Sequence, residues 1–238
     1  MKDIIQGLWI GDELSVMERL SICSFLANGH QYHLYVYDGV QNIPDGTIVR
    51  NAREVLPSSA IFQYKHNKSY AGFSNFFRYK LLLERGGWWA DMDLICLRPF
   101  DFPEEYVFST EMDQGVEVVS CGVIKVPPQS EVMAYAWGVC ESANPGELVW
   151  GETGPALMAR AVARQGLEAY KKRADVFCPV PYHEWRSLIE PTNGGVLSEA
   201  TQAVHLWNEM WRREGLDKNG RYDADSLYER LRKEYSVS

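Results

Sequence analysis

The chain contains no run of about 18 consecutive apolar residues, the length a membrane-spanning helix needs. Its first residues, Met1-Lys2-Asp3-Ile4-Ile5, show neither a long apolar segment nor a small-residue cleavage site, so they do not read as a signal peptide. Both observations lead to the expectation of a cytoplasmic protein. Cysteine is sparse and unpaired in pattern. Cys23, Cys96, Cys121, Cys140 and Cys178 are scattered, odd in number and free of any C-x-x-C spacing, which excludes a disulfide framework and reads as buried reduced thiols. Positive charge is not in excess. The 24 Lys and Arg stand against 32 Asp and Glu, a net charge of −8, which argues against general nucleic-acid binding. No internal repeat and no low-complexity linker interrupts the chain.

What is present fits a soluble globular protein of 238 residues, 46% hydrophobic and 24% charged. That length allows one sizeable domain or two small ones. The acidic balance has a chemical consequence. A protein of this charge that binds phosphate groups needs a cation, local arginines or helix N-termini to offset repulsion.

Apolar periodicity organises the chain. Ile4 to Ile10 reads as a strand, and Leu14 to Leu26 as a helix stopped at Asn28-Gly29. Tyr32 to Tyr37 is a second strand closed by Asp38-Gly39, and Ile43 to Pro57 a short strand with loops. A helix from about Gly72 to Arg85 carries Phe73, Phe76, Phe77, Leu81, Leu82 and Leu83 around nearly its whole circumference, which predicts deep burial. It ends at Gly86-Gly87. Trp88 to Ile95 reads as a strand that ends in acid. Tyr106 to Thr110 and Val116 to Lys125 read as strands, Val132 to Glu141 and Pro155 to Gln165 as helices, Ala203 to Leu206 as a short strand and Ser226 to Tyr235 as a terminal helix. Strands alternating with helices in the first half predict a layered α/β fold.

Asp91-Met92-Asp93 is the central chemical feature. In a strand, residues i and i+2 face the same side, so both carboxylates aim at one spot. Two same-facing acids after an apolar stretch are costly unless neutralised, and a hard divalent cation such as Mg²⁺ or Mn²⁺ takes oxygen ligands. Two carboxylates leave coordination positions for water and for the phosphate oxygens of a substrate.

The ordered block from Phe73-Ser74-Asn75-Phe76-Phe77-Arg78 through Gly86-Gly87-Trp88-Trp89-Ala90-Asp91-Met92-Asp93 resembles the core of the sugar-binding DXD glycosyltransferases. These are the glycosyltransferase family 32 group, with the large clostridial glucosylating toxins as distant relatives. Gly7-Leu8-Trp9-Ile10-Gly11 resembles their first strand. The resemblance is dense over residues 4–38 and 72–100 and thin beyond. It implies a GT-A-type single domain over residues 1–238, a Rossmann-like mixed sheet flanked by helices. Residues 1–100 would form the nucleotide-sugar half and residues 101–238 the acceptor half with a closing segment. It implies a hexose moved from a UDP-sugar, UDP-galactose or UDP-glucose, to a glycan or lipid-linked acceptor in surface polysaccharide synthesis, with retention of configuration.

By the same resemblance Trp9, with Ile10 beside it, matches the tryptophan that stacks on uracil, and Ser74 and Arg78 match groups at the donor's sugar and phosphates. Asp91 matches the acid that contacts the ribose and a metal-bound water, and Asp93 the direct metal ligand. Asn75 departs from the family's Asp, keeping an acceptor but losing the charge, and so leaves the donor sugar open. His205 and Trp207 match a late segment that folds over the donor, His205 as a metal or phosphate contact and Trp207 as a cover against water. Gly151-Glu152-Thr153-Gly154-Pro155 matches a helix-opening segment near the acceptor, with Glu152 placed to touch a sugar. Tyr182-His183-Glu184-Trp185 offers aromatics for an acceptor cleft or, equally, for packing in the core. The aromatic and basic stretch Trp207 to Arg213 permits peripheral membrane contact or packing against the core. Two other readings stand beside this one. A Mg²⁺-dependent phosphohydrolase would use the first Asp as nucleophile, and a non-catalytic nucleotide-sugar-binding module would only hold the donor.

Overall fold

Short apolar strands and half-apolar helices must each bury a face, and the chain does so in layers. A computed structural model describes residues 3–191 and 197–238. In chain order the elements are β1 (Ile4–Trp9), α1 (Val16–Ala27), β2 (Gln31–Val36), β3 (Ile48–Asn51), α2 (Ala71–Arg85), β4 (Gly87–Ala90) and β5 (Leu94–Cys96). They continue with β6 (Val107–Asp113), β7 (Val116–Val126), α3 (Glu131–Ser142), α4 (Pro155–Arg164), α5 (Ala174–Phe177), β8 (Ala203–His205), α6 (Asn208–Glu214) and α7 (Leu227–Glu234).

Six strands form a mixed sheet in the order β3-β2-β1-β4-β7-β6. The first four are parallel, β7 runs against β4, and β6 runs against β7. The chain leaves β1 toward β2 on one side and later enters β4 on the other. Strand order therefore switches between β1 and β4, and open α/β sheets bind ligands beyond the carboxyl ends of the strands at such a switch. Trp9 closes β1 and Ala90 closes β4 at that edge.

Side chains alternate across the sheet and supply two cores. Ile5, Leu34 and Trp88 point to one side, packing with Leu20 and Phe25 of α1, Trp211 of α6 and Tyr228 of α7. Leu8, Tyr35 and Trp89 point to the other, against Phe73, Phe77 and Leu81 of α2 and Leu157 and Val162 of α4. The predicted burial of α2 holds, with Phe73, Phe77, Leu81 and Leu82 fully enclosed. The helix stops where expected. Gly86 has φ +61°, and a Cβ there would lie 2.4 Å from the Pro128 nitrogen, so no other residue fits without movement. At the start of α1, Ser15 and Glu18 form a capping box.

One expectation needs correction. The acid-ended strand from Trp88 to Ile95 is two short strands in different sheets. β4 pairs with β7, β5 leaves to pair with β8, and residues 91–93 turn between them, the Leu94 amide donating to the Asp91 carbonyl at 3.1 Å. The physical reason is competition for partners, because β7 serves only the first half of the segment. The stretch after Trp207 folds as a helix, α6, and takes the core-packing alternative. Trp211 is wholly buried and Trp207 nearly so, while Arg212 and Arg213 pair with Glu209 at the surface. Among the described residues no helix is long and apolar enough to cross a membrane.

Candidate functional site

The turn after β4 delivers both acids to one place by a different route from strand alternation. β8 pairs with β5 so that Leu94 faces His205. This register carries the His205 imidazole to the turn, where a ring nitrogen lies 3.2 Å from Asp93 Oδ1. Asp91, Asp93 and His205 each then offer one ligand atom, all within 4.8 Å of one another. The other Asp93 oxygen accepts the Asn208 backbone N–H at 2.7 Å, which ties the start of α6 to the acid. Gly122 of β7 borders the same space. A Cβ there would stand 3.5 Å from Asp91 Oδ2 and 3.6 Å from His205 Cε1, so its absence keeps the gap between them open.

Arg78 holds the first acid. It projects from α2 with only 3% of its side chain exposed and donates to Asp91 Oδ1 at 2.7 Å. It also donates to the Cys121 carbonyl and, at 3.3 Å, to the Ser74 hydroxyl, and it lies over the Trp89 ring. Its Nε is buried with no hydrogen-bond partner among the described residues. Trp89 Nε1 donates to the same Asp91 oxygen at 2.8 Å. A buried guanidinium needs an anion beside it, and the spacing of α2 against β4 supplies one.

These contacts set the charge state. Burial raises the pKa of Asp91 against the pull of Arg78, and the neighbouring Asp93 charge raises it further. Burial acts on Asp93 in the same direction, but His205 and the Asn208 amide outweigh it and hold the carboxyl below its ordinary range. Burial works against a charged His205, yet Asp93 and Cys178 lift its pKa well above the usual 6.5. Opposite shifts within one small site mark a place built to hold charge.

The structure brings some expected residues together and separates others. Trp9 sits half-buried at the end of β1, its Nε1 donating to the Glu13 carbonyl at 3.0 Å, with Lys218 Nζ 5.3 Å from its ring centre. Ile10 follows, also half-buried. Asn75 is buried on the same side of α2 as Arg78. It donates to Thr153 Oγ1 at 3.4 Å and faces the Cys121 thiol, so the amide links α2 to the segment before α4. Glu152 lies on the surface, and its carboxylate accepts the Val149 amide at 3.2 Å within its own turn. It makes no hydrogen bond to Asp91, Asp93 or Arg78. Its neighbour Thr153 is the buried member of that segment, its carbonyl accepting from Tyr79 at 2.9 Å. Trp207 packs against His205 with ring centres 4.0 Å apart and planes tilted by 37°, and is pinned by a 2.8 Å bond from Nε1 to the Val180 carbonyl. It forms a fixed wall behind the histidine. Tyr182 donates to Asp113 at 3.2 Å, His183 and Glu184 are exposed, and Trp185 is core, packed near Trp211.

Sequence reasoning missed Gly122, Cys121, Glu111 and Cys178, which border the site from β6, β7 and the turn after α5. None carries a local pattern that could have flagged it, because each reaches the site only through strand pairing or packing.

Comparison with known proteins fits this geometry. Residues 21–110 match the family described as glycosyltransferase sugar-binding region containing DXD motif, and residues 146–236 match the α1,4-glycosyltransferase conserved region. The human α-1,4-N-acetylglucosaminyltransferase is 27% identical over 148 residues, 56% of this chain and 41% of that protein. The match thus spans well under half of the relative's length. Among solved structures, the PaToxG glycosyltransferase superposes with a TM-score of 0.54 at 19% identity, covering 71% of this chain and 72% of that one. That likeness shows a shared fold of the GT-A type. The Asp91–Asp93 turn, α2 and Arg78 lie in the first matched region, and His205, Trp207 and α6 in the second.

Proposed function

We propose that this chain, a glycosyltransferase by both of its matched regions, moves a hexose from a UDP-sugar to a hydroxyl of a glycan or lipid-linked acceptor, with metal dependence and retention of configuration. One observation carries the reading. Two carboxylates and an imidazole converge beside a buried arginine at the strand-order switch.

The donor set fits a divalent cation. Carboxylates suit Mg²⁺ and Mn²⁺ alike, whereas an imidazole among them favours Mn²⁺. Asp93 and His205 would hold the ion, with Asp91 completing the set. When bound, the cation would offset the charge that grows on the departing diphosphate oxygen. Arg78 brings a second positive charge to that place, and a donor oxygen would satisfy its unpaired Nε. The Trp9 ring gives uracil a flat face. Ser74, which accepts from Arg78, and Asn75 beside it on α2 would read the sugar hydroxyls, the neutral amide replacing a charge with two hydrogen-bond donors. Glu152 would act only at the acceptor side, from its surface turn. The acceptor hydroxyl attacks from the face the diphosphate leaves, with the leaving phosphate as base. Surface-glycan synthesis belongs to this proposal, and membrane contact by α6 would rely on Arg212 and Arg213 alone.

The relative's name adds N-acetylglucosamine, carried on UDP in the present proposal, and an α1,4 linkage to the sugars and products worth testing. The test is UDP release from UDP-galactose, UDP-glucose and UDP-N-acetylglucosamine, with Mn²⁺, with Mg²⁺ and with chelator. Release with one donor, dependent on the ion, is the expected result. Donor binding without UDP release across acceptors would favour a binding module. Phosphate release from simple phosphate esters would overturn the transferase reading.

A further inference from the structure

A second set of ligand atoms adjoins the first and has a different chemistry. Glu111 of β6, Cys178 after α5 and His205 each offer one ligand atom, all within 4.8 Å of one another. Cys178 Sγ lies 3.9 Å from His205 Nδ1, the nitrogen turned away from Asp93. Two tetrahedral ligands at about 2.3 Å and 2.1 Å from one zinc ion stand roughly 3.6 Å apart. A shift of a few tenths of an ångström therefore closes this pair on a single ion. Glu111 is half-buried and its carboxylate makes no hydrogen bond among the described residues, while His205 lies close enough to act on its charge. The three come from three separate elements that the tertiary fold alone brings together.

We infer that Glu111, Cys178 and His205 form a soft-metal site, suited to zinc, whose filling withdraws His205 from the donor cation. Thiolate and imidazole select zinc over Mg²⁺ or Mn²⁺, and three protein ligands leave a fourth position for water. On binding, the Cys178 S–H and the His205 Nδ1–H bonds break, both protons go to solvent, and sulfur–metal and nitrogen–metal bonds form. A metal on Nδ1 leaves the imidazole proton on Nε2. That N–H then donates to Asp93, 3.2 Å away, and the Nε2 lone pair is no longer available to a cation held by the two aspartates. The site itself stands on its own geometry. Its effect on the donor cation rests on the function proposed above.

Cobalt(II) added to the full chain is the probe, because a thiolate ligand gives it a near-ultraviolet charge-transfer band. The wild-type protein should show that band, and zinc should displace it. Cys178→Ser should abolish it, whereas Cys23→Ser, which alters the only half-exposed thiol, should leave it intact. Glu111→Gln should weaken cobalt binding by about tenfold or more, and this variant serves even where Cys178→Ser fails to fold. Absence of the band in folded wild type, or its survival in Cys178→Ser, overturns the site. The second measurement is Mn²⁺ binding by electron paramagnetic resonance. One equivalent of zinc should raise the Mn²⁺ dissociation constant about tenfold or more in wild type and leave it unchanged in Cys178→Ser. An unchanged constant in wild type overturns the coupling. Failure of Mn²⁺ to bind at all counts against the donor-cation reading, while the cobalt band continues to judge the new site.

Discussion

Asp93 does more than its place in an Asp-x-Asp pair requires. One oxygen faces His205 and the other receives the Asn208 amide, so the acid joins the candidate cation site to the start of α6. Replacing it with alanine would remove a ligand and a helix anchor together. Asp93→Asn keeps an oxygen for the Asn208 amide and removes the charge. Its expected outcome is a loss of metal-dependent turnover of about 100-fold or more, with a melting temperature below the parent's near neutral pH, since His205 loses the charge beside it. Steady-state UDP release and thermal denaturation check the two halves. The same contacts predict a pH effect on the metal-free protein. His205 has its folded pKa raised well above 6.5, so its contribution to stability is fully present below that value and is lost as pH rises through the raised one. Asp93 has its folded pKa lowered, so its contribution is lost only as pH falls through that depressed value. Melting curves in chelator should fall on the alkaline side, and His205→Gln should flatten that fall.

At the scale of elements, α2 decides how far Arg78 and Asn75 reach. The helix must stop at Arg85 for β4 to enter the sheet beside β1, and Gly86 makes that stop possible. Its backbone angles, φ +61° and ψ −159°, lie in a region that side-chain-bearing residues avoid. Gly86→Ala should lower unfolding free energy by about 2 kcal/mol or more, from strain and from contact with Pro128. Urea denaturation measures this, and an unchanged midpoint would mean that the turn relaxes freely. The pairing of β5 with β8 is the other decisive element. It carries His205 across 112 residues of chain to Asp93, a juxtaposition that no local spacing announces.

For the whole molecule, the two cores lie on opposite faces of one sheet, and the site sits at the edge where the strand order switches. The cation would then bind to a scaffold held by apolar packing rather than organise the fold itself. Chelation should abolish transfer while leaving far-ultraviolet circular dichroism unchanged, and restored Mn²⁺ should return activity. A large loss of helical signal in chelator would assign the ion a structural role. The net charge of −8 also bears on the whole molecule, because it would make an anionic donor depend on a bound cation and Arg78 more than on long-range attraction.

Periodicity in the sequence was enough to determine the run of β1, α1, β2, α2, β6, β7, α3, α4, β8 and α7, because apolar spacing and glycine stops act over a few residues. Resemblance to a known family, carried by one short block, marked Arg78 beside the Asp91-Met92-Asp93 motif as candidate site residues. Only the tertiary structure decided that the two acids sit on a turn rather than a strand, since this depends on which distant strand each half pairs with. It alone decided that Asp93 meets His205, that Glu152 faces the surface while Thr153 faces Asn75, and that Glu111 and Cys178 lie beside the histidine. These are contacts between residues far apart in the chain, set by the packing of whole elements, and a linear pattern holds no record of them.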